Sequence, residues 1–322
     1  MKKRLAWIVV IGLLVVLLGF VFAGNYFYNE GIKRGDRIEL YSGDEAVEVF
    51  ATEENQALIE QANQWYNEQS FERVERTTSD DLKLRADFLE NEEDTGKVVI
   101  LAHGYRGQKE DMREYVKFYY DQGFDVLLPD ARGHGESDGD YIGYGWHDRK
   151  DYQDWIEMLV NQKDSEHIFL HGNSMGAALV LMASGEDLPL EVKGIIADSG
   201  YTTVHEELSH QLKHLYNLPP FPLLEVTSMI TNIRAGYTFK EASAVEQVRN
   251  NTRPLFIIHG EEDELVPTDM AHELYEAAGG DKQLWIVPDA GHTKAYTVAT
   301  QLFQHKLTAF IEEVLDTSNE TN

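Results

Sequence analysis

The chain has 322 residues, 43% of them hydrophobic, enough for one large domain or two small ones. It contains no cysteine, which excludes disulfides, thiolate catalysis and cysteine-ligated zinc or iron–sulfur centres. Its 28 Lys and Arg face 56 Asp and Glu, and the resulting charge of −28 repels nucleic acid, so no nucleic-acid partner is expected.

The amino end reads "MKKRLAWIVVIGLLVVLLGFVFAGN". Lys2, Lys3 and Arg4 precede an apolar run of 19 residues, Leu5 to Ala23. At 1.5 Å per residue this run makes about 28 Å of helix, close to the roughly 30 Å hydrocarbon core of a bilayer. A cleaved signal usually carries a shorter apolar stretch of about 7–15 residues. The expectation for residues 1–24 is therefore a retained signal-anchor helix. It would hold the chain in the cell membrane as a single pass, with the basic end cytoplasmic and the rest outside. Secretion after cleavage near Val21-Phe22-Ala23 is the alternative. Beyond residue 24 the balance is 25 cations against 56 acids, or −31.

Residues 25–69 are expected to be a linker and accessory segment. "NYFYNEGIKRGD" reads as an interfacial aromatic patch, and 53–69 as an amphipathic helix outside the main fold. "FERVERTT" and "LKLRADFLE" then alternate apolar and polar residues around a turn at Ser79-Asp80-Asp81, the pattern of an antiparallel pair. Six short apolar runs follow: "KVVILAHG", "FDVLLPDARGHG", "HIFLHGNS", "VKGIIADSG", "RPLFIIHG" and "KQLWIVPDAGH". Helical stretches are expected at 108–121, 148–162, 175–185, 268–278 and 293–315. Continuous apolar strands alternating with helices predict an α/β fold with a parallel sheet buried on both faces. Ligands of such sheets bind beyond the carboxyl ends of the strands, where these runs end in Gly, Asp, His or Ser. Residues 201–250 break the alternation, and Pro219, Pro220 and Pro222 prevent one continuous helix there. This segment is expected to be a lid inserted in a domain spanning 70–316, with 317–322 a frayed tail.

Gly172-Asn173-Ser174-Met175-Gly176 matches G-x-S-x-G with a strand before it and a small-residue helix after it. Such a strained turn exposes a serine hydroxyl, and bulk on either side would clash. The hydroxyl needs a base. His292, after the last predicted strand, is the candidate. A carboxylate must orient that base, and Asp263, past the penultimate strand, is preferred over the neighbouring Glu261, Glu262 and Glu264. Asp198, which also ends a strand, is the runner-up. A tetrahedral oxyanion would need two N–H donors. The backbone N–H groups of Met175 and Tyr105 are expected to supply them. Trp146, Phe221 and Met229, with Tyr144, Leu223, Leu224 and Ile230, are candidates for an acyl pocket; plain packing of the lid on the body is the alternative.

"HGYRG", "DARGHGESDG", "GNSMG", "HGEEDELVP" and "AGH" occur in the order and spacing of the α/β-hydrolase superfamily, which the chain resembles over roughly 70–316. Within it, the chain resembles hydrolases of the Gram-positive cell surface related to the serine aminopeptidase-like branch. The resemblance implies an eight-stranded, mostly parallel sheet, no cofactor and an acyl-serine intermediate. The expected partner is a small-molecule ester, with amide or peptide cleavage or acyl transfer as alternatives at the same site, and a non-catalytic binding protein as the reading from another class. In resembling proteins the loop with Arg132, His134 and Asp138 braces the floor of the site, and His103 is expected to brace its own loop. His205, His210 and His214 in "HEELSHQLKH" miss the H-E-x-x-H spacing, so no metal site is expected.

Overall fold

In the computed structural model, which describes residues 2–37 and 51–320, the apolar runs become the strands of one sheet. The alternating pair forms β1 (Glu72–Thr77) and β2 (Lys83–Leu89). The six continuous runs form β3 (Lys97–Ala102), β4 (Asp125–Pro129), β5 (His167–Asn173), β6 (Val192–Asp198), β7 (Leu255–Gly260) and β8 (Lys282–Val287). The strand order is β1-β2-β4-β3-β5-β6-β7-β8. β2 runs antiparallel to both β1 and β4, and every other pair is parallel. This is the mostly parallel eight-stranded architecture that the resemblance implies. β1 forms the edge, with Glu72, Arg73 and Glu75 exposed along it.

Side-chain alternation divides the core into two layers. Val98, Ile100 and Ala102 of β3 pack to one side, and Val99 and Leu101 to the other. The first side is covered by α4 (Asp148–Gln162), α5 (Met175–Ser184) and the lid; the second by α3 (Arg113–Asp121) and α11 (Thr300–Glu320). Because the central strands are buried on both faces, they carry no polar alternation.

Of the outer helices, α2 (Glu53–Asn67) begins at a Thr52 cap and docks on α3, with Trp65 and Tyr120 ring centroids 4.9 Å apart. Asn55 Nδ2 donates to the Val298 carbonyl at 2.7 Å, tying α2 to α10 (Ala295–Val298). The expected helix 293–315 is divided between α10 and α11 at Ala299, whose φ of −129° and ψ of 39° are not helical. α11 runs to Glu320, so helix extends into the expected tail, whose last two residues lie outside the described residues. The lid comprises α6 (Val204–Tyr216), α7 (Leu223–Ala235) and α8 (Ala244–Val248), and the prolines lie between the first two. Thr268–Ala277 forms α9.

The amino-terminal helix α1 spans Lys2–Gly31 and crosses the boundary expected at residue 24. It is long and apolar enough to cross a membrane, with a mean hydropathy of 3.0 in its most apolar window. Phe20, Ala23, Gly24, Phe27, Tyr28 and Gly31 form its partly or fully buried stripe, the spacing of one helical face. That stripe meets α7. A Cβ at Gly24 would lie 2.8 Å from Val226 Cγ1 and 3.2 Å from Ile230 Cδ1, so only glycine permits this approach. Four residues further along α1, the Tyr28 ring carries the Arg234 guanidinium at 4.7 Å, and Asn25 Oδ1 accepts from Arg234 at 2.8 Å. The two helices therefore run side by side in the same direction. The segment 38–50 of the expected linker lies outside the described residues.

Candidate active site

Each chemical group stands one to five residues past the carboxyl end of a strand, and parallel pairing puts those ends on one edge. β5 delivers Ser174, the first residue after Asn173. Its φ of 57° and ψ of −117° make the sharp turn that the flanking glycines permit. A Cβ on Gly172 would lie 2.1 Å from the Gly176 carbonyl oxygen, and one on Gly176 would lie 2.1 Å from that of Ala102. α5 starts immediately afterwards, so the Met175 N–H is one of the helix-start donors without an intrahelical acceptor.

β7 and β8 deliver the other two groups. His292 Nε2 lies 2.7 Å from Ser174 Oγ, and His292 Nδ1 lies 2.7 Å from Asp263 Oδ2. With Nδ1–H donating to the carboxylate, Nε2 is left to accept from the serine hydroxyl. Asp263 is buried, and its other oxygen accepts the Leu265 and Val266 N–H groups at 3.0 and 2.8 Å. Burial alone would raise its pKa. Hydrogen bonds from His259 and His292 outweigh that and hold the carboxyl well below the usual range. His259 was not foreseen. Its Nε2 lies 3.2 Å from Asp263 Oδ2 and 2.9 Å from the Val266 carbonyl, and the Asp263 hydrogen bond raises its pKa against the pull of burial. Its position in "FIIHG", four residues before Asp263 at the end of a strand, was the available signal.

Asp198, the runner-up acid, is committed elsewhere. It accepts from Ser199 Oγ at 2.9 Å, and burial pushes its carboxyl up to about 7. The β3 loop passes over the serine, since a Cβ on Gly104 would lie 3.4 Å from Ser174 Cβ. Tyr105 follows, and its hydroxyl donates to the Gly31 carbonyl of α1 at 3.0 Å. His103 braces this loop: its Nε2 accepts the Ala131 N–H at 3.0 Å and its Nδ1 donates to the Gly104 carbonyl at 2.8 Å. Arg132 is locked to Asp151 at 2.6 and 2.7 Å, and Asp138 accepts the Lys83 N–H, so their loop holds the floor. On the lid, His210 Nε2 donates to the Glu264 carbonyl at 2.7 Å and Gln211 Nε2 to the Leu265 carbonyl at 3.2 Å, so α6 grips the loop that carries Asp263.

Above Ser174 and His292 opens a cavity of about 1120 Å³. Much of its wall is apolar: Phe27 of α1, Tyr144, Leu208, Leu212, Leu215 and Leu224. Trp146, Phe221 and Met229 do not line it, which corrects their expected pocket role. Trp146 is instead stacked under the Arg149 guanidinium at 3.5 Å, while Phe221 and Met229 face outward, 73% and 65% exposed.

Glu207 is the buried acid of the wall. Burial pushes it up to about 8 from the usual 4.5, only partly opposed by the hydrogen bond from Gln211. The folded chain thus keeps a proton that the unfolded chain gives up above pH 4.5. The stability this contributes is complete below that pH and is lost as pH rises through about 8. It amounts to about a few kcal/mol. Glu207→Gln is expected to flatten the fall in melting temperature over that window; a slope unchanged from wild type would contradict the assignment.

The prolyl oligopeptidase family model matches residues 111–318, which include the serine, the aspartate and the histidine. The chain belongs to the prolyl oligopeptidase family. Among its relatives in sequence is Bacillus subtilis YqkD, 29% identical over 71% of this chain and 74% of that protein. The Danio rerio lysophosphatidylserine lipase ABHD12 is 27% identical over 58% of this chain and 48% of its own length. Among solved structures, the Pyrococcus furiosus esterase Pf2001 superposes with a TM-score of 0.62 at 26% identity, covering 76% of this chain and 93% of that one. As a member of the prolyl oligopeptidase family the chain has the α/β-hydrolase fold, and its fold and family are those of serine hydrolases.

Proposed function

We propose that this chain is a membrane-anchored serine esterase whose catalytic domain lies outside the cytoplasm. The observation that carries the reading is the continuous hydrogen-bonded line from Ser174 Oγ through His292 to Asp263. Ser174 Oγ attacks the ester carbonyl while His292 Nε2 takes its proton. The Tyr105 and Met175 N–H groups receive the oxyanion. On collapse the C–O bond breaks, His292 gives its proton to the departing alcohol, and the acyl group stays on Ser174. Water, deprotonated by His292, then releases the carboxylic acid and restores the serine. Asp263 keeps the imidazole oriented and balances its charge.

An ester substrate is favoured by the apolar wall and by Glu207, which is mostly protonated at pH 7 and adds little charge to it. Family membership and the same Glu207 favour a second reading, cleavage of an amide bearing a free amine. A cation entering the cavity would draw the proton from Glu207 and pair with it. The anchor reading is supported by the length and apolarity of α1 and by its Lys2-Lys3-Arg4 flank.

The test has two parts. A fluorophosphonate probe is expected to modify Ser174, as read by peptide mass spectrometry; no label on folded protein would refute the serine mechanism. Alkyl esters are expected to turn over faster than aminoacyl anilides. The reverse order, abolished by Glu207→Gln, would establish the amide reading.

A further inference from the structure

The lid of this protein exposes large apolar side chains in a body that is otherwise strongly acidic. Leu215, Leu218, Phe221, Met229 and Ile233 are between 37% and 82% exposed. Residues 215–233 contain a single charged side chain, Glu225, in a chain that is 26% charged. At that density a stretch of this length would carry about five charges. A cluster of exposed apolar side chains in one segment of this kind marks a site of contact.

The position of the stretch says what it meets. α7 lies along α1 in the same direction, with Gly24 against Val226 and Tyr28 beside Arg234. The start of α7 and the turn before it therefore lie level with the residues of α1 ahead of Gly24. Those residues are the end of the apolar run that closes at Ala23. Tyr216 also reaches α1, its ring 5.3 Å from that of Phe27. On the α7 wheel, Met229 and Ile233 lie next to the Val226 and Ile230 stripe that faces α1, so they point along the flank of the helix. If α1 crosses a bilayer, the lid edge cannot avoid its outer surface. The cavity wall includes Leu215, Tyr216 and Phe27, so the chamber above Ser174 reaches that same edge.

We infer that the lid edge 215–233 rests in the outer surface of the membrane that α1 spans, and that the site takes the acyl ester of a lipid resident in that membrane. This rests on the anchored-esterase reading and adds to it the route and class of the substrate. The acyl chain enters past Leu215 and Tyr216, where the cavity wall meets Phe27 of α1, and hydrolysis by water yields a free fatty acid and the lipid alcohol.

Because the chain has no cysteine, single-cysteine labelling is clean. Full-length variants Val16→Cys, Phe221→Cys, Ile233→Cys and Leu190→Cys are labelled with an environment-sensitive fluorophore. They are reconstituted into phosphatidylcholine vesicles brominated near the glycerol end of the acyl chains. Leu190 is the control, since it is 78% exposed just before β6, at the end of the sheet opposite the site. Emission at 221 and 233 is expected to fall by half or more relative to unbrominated vesicles, with no change at 190. Quenching at 16 but not at 221 and 233 overturns the lid contact and leaves the anchor standing. No quenching at 16 overturns the anchor and the inference with it. Turnover of a soluble short-chain ester, measured on the same preparations, reports on the hydrolase reading alone. In a second arm, Leu218→Asp with Ile233→Asp is expected to keep turnover of the soluble ester and to lower that of a vesicle-borne monoacylglycerol about tenfold. Equal turnover of the vesicle-borne ester by variant and wild type overturns the assigned substrate route.

Discussion

Replacing Ser174 with alanine is expected to lower kcat for a short-chain ester by at least about 10⁴-fold while the melting temperature stays within a degree or so of wild type. In the proposed mechanism the hydroxyl is the attacking atom, and it lies 2.7 Å from His292 Nε2. Alanine removes that oxygen without adding volume, and it keeps a Cβ at the same turn. The proposed N–H pair and the cavity would remain, so some turnover above the uncatalysed rate is expected to persist, as is general when a triad is broken but oxyanion donors survive. Asp263→Asn should cost a comparable factor by a different route. An amide can offer Nδ1 a donor instead of an acceptor and so favour the wrong tautomer. Asp263 also accepts from Leu265, Val266 and His259, so its replacement should lower the melting temperature as well. Steady-state kinetics beside thermal melts separate the two variants. Wild-type kcat in Ser174→Ala would refute the mechanism.

Gly176→Ala is expected to be among the most damaging one-carbon changes in the molecule's centre. The added Cβ would sit 2.1 Å from the Ala102 oxygen, 2.6 Å from its carbonyl carbon and 2.7 Å from the His103 oxygen. All three are backbone atoms at the end of β3, and no rotamer can relieve the clash. Either α5 lifts away from the sheet or the β3 loop moves off Ser174, and the second would carry the Tyr105 N–H with it. Overpacking of this kind should cost about 3 kcal/mol or more, roughly a 10 °C lower midpoint, or prevent soluble folding. Gly12→Ala, with nothing within 4 Å of the added carbon, is the matched control. A Gly176→Ala protein that melts like wild type would contradict the packing.

The candidate catalytic residues were readable because each is a local event. Ser174, Asp263 and His292 all follow apolar runs, and a parallel sheet brings the ends of such runs together without further information. Among Glu261, Glu262, Asp263 and Glu264, Asp263 alone is buried, and it accepts the Leu265 and Val266 N–H groups. What surrounds them was not readable. The cavity wall is set by how α6, α7 and α1 pack, and those contacts join residues some two hundred positions apart, as Asn25 and Arg234 do. Periodicity marks the apolar face of a helix but not its neighbour, so Phe221 and Met229 looked like pocket residues and proved to face outward. The end of α1 was misjudged for a related reason. Hydropathy drops at Gly24, yet the helix continues because Gly24 and Tyr28 find burial against the lid and body. The interruption at Ala299 has no local signal: neither Gly nor Pro is there.

The outer strand β1 has a consequence for how these molecules meet one another. Among the described residues no strand pairs with its outer side, the usual invitation for a stranger's strand to join. Here Glu72, Arg73, Glu75 and Arg76 occupy four of its six positions, and partners fasten several of them, Glu75 to Arg85 at 3.0 Å and Arg73 to Glu136 at 2.7 Å. A newcomer would have to dehydrate those charges before gaining a single ladder bond, so β1 resists extension on its side even where neighbours crowd a surface.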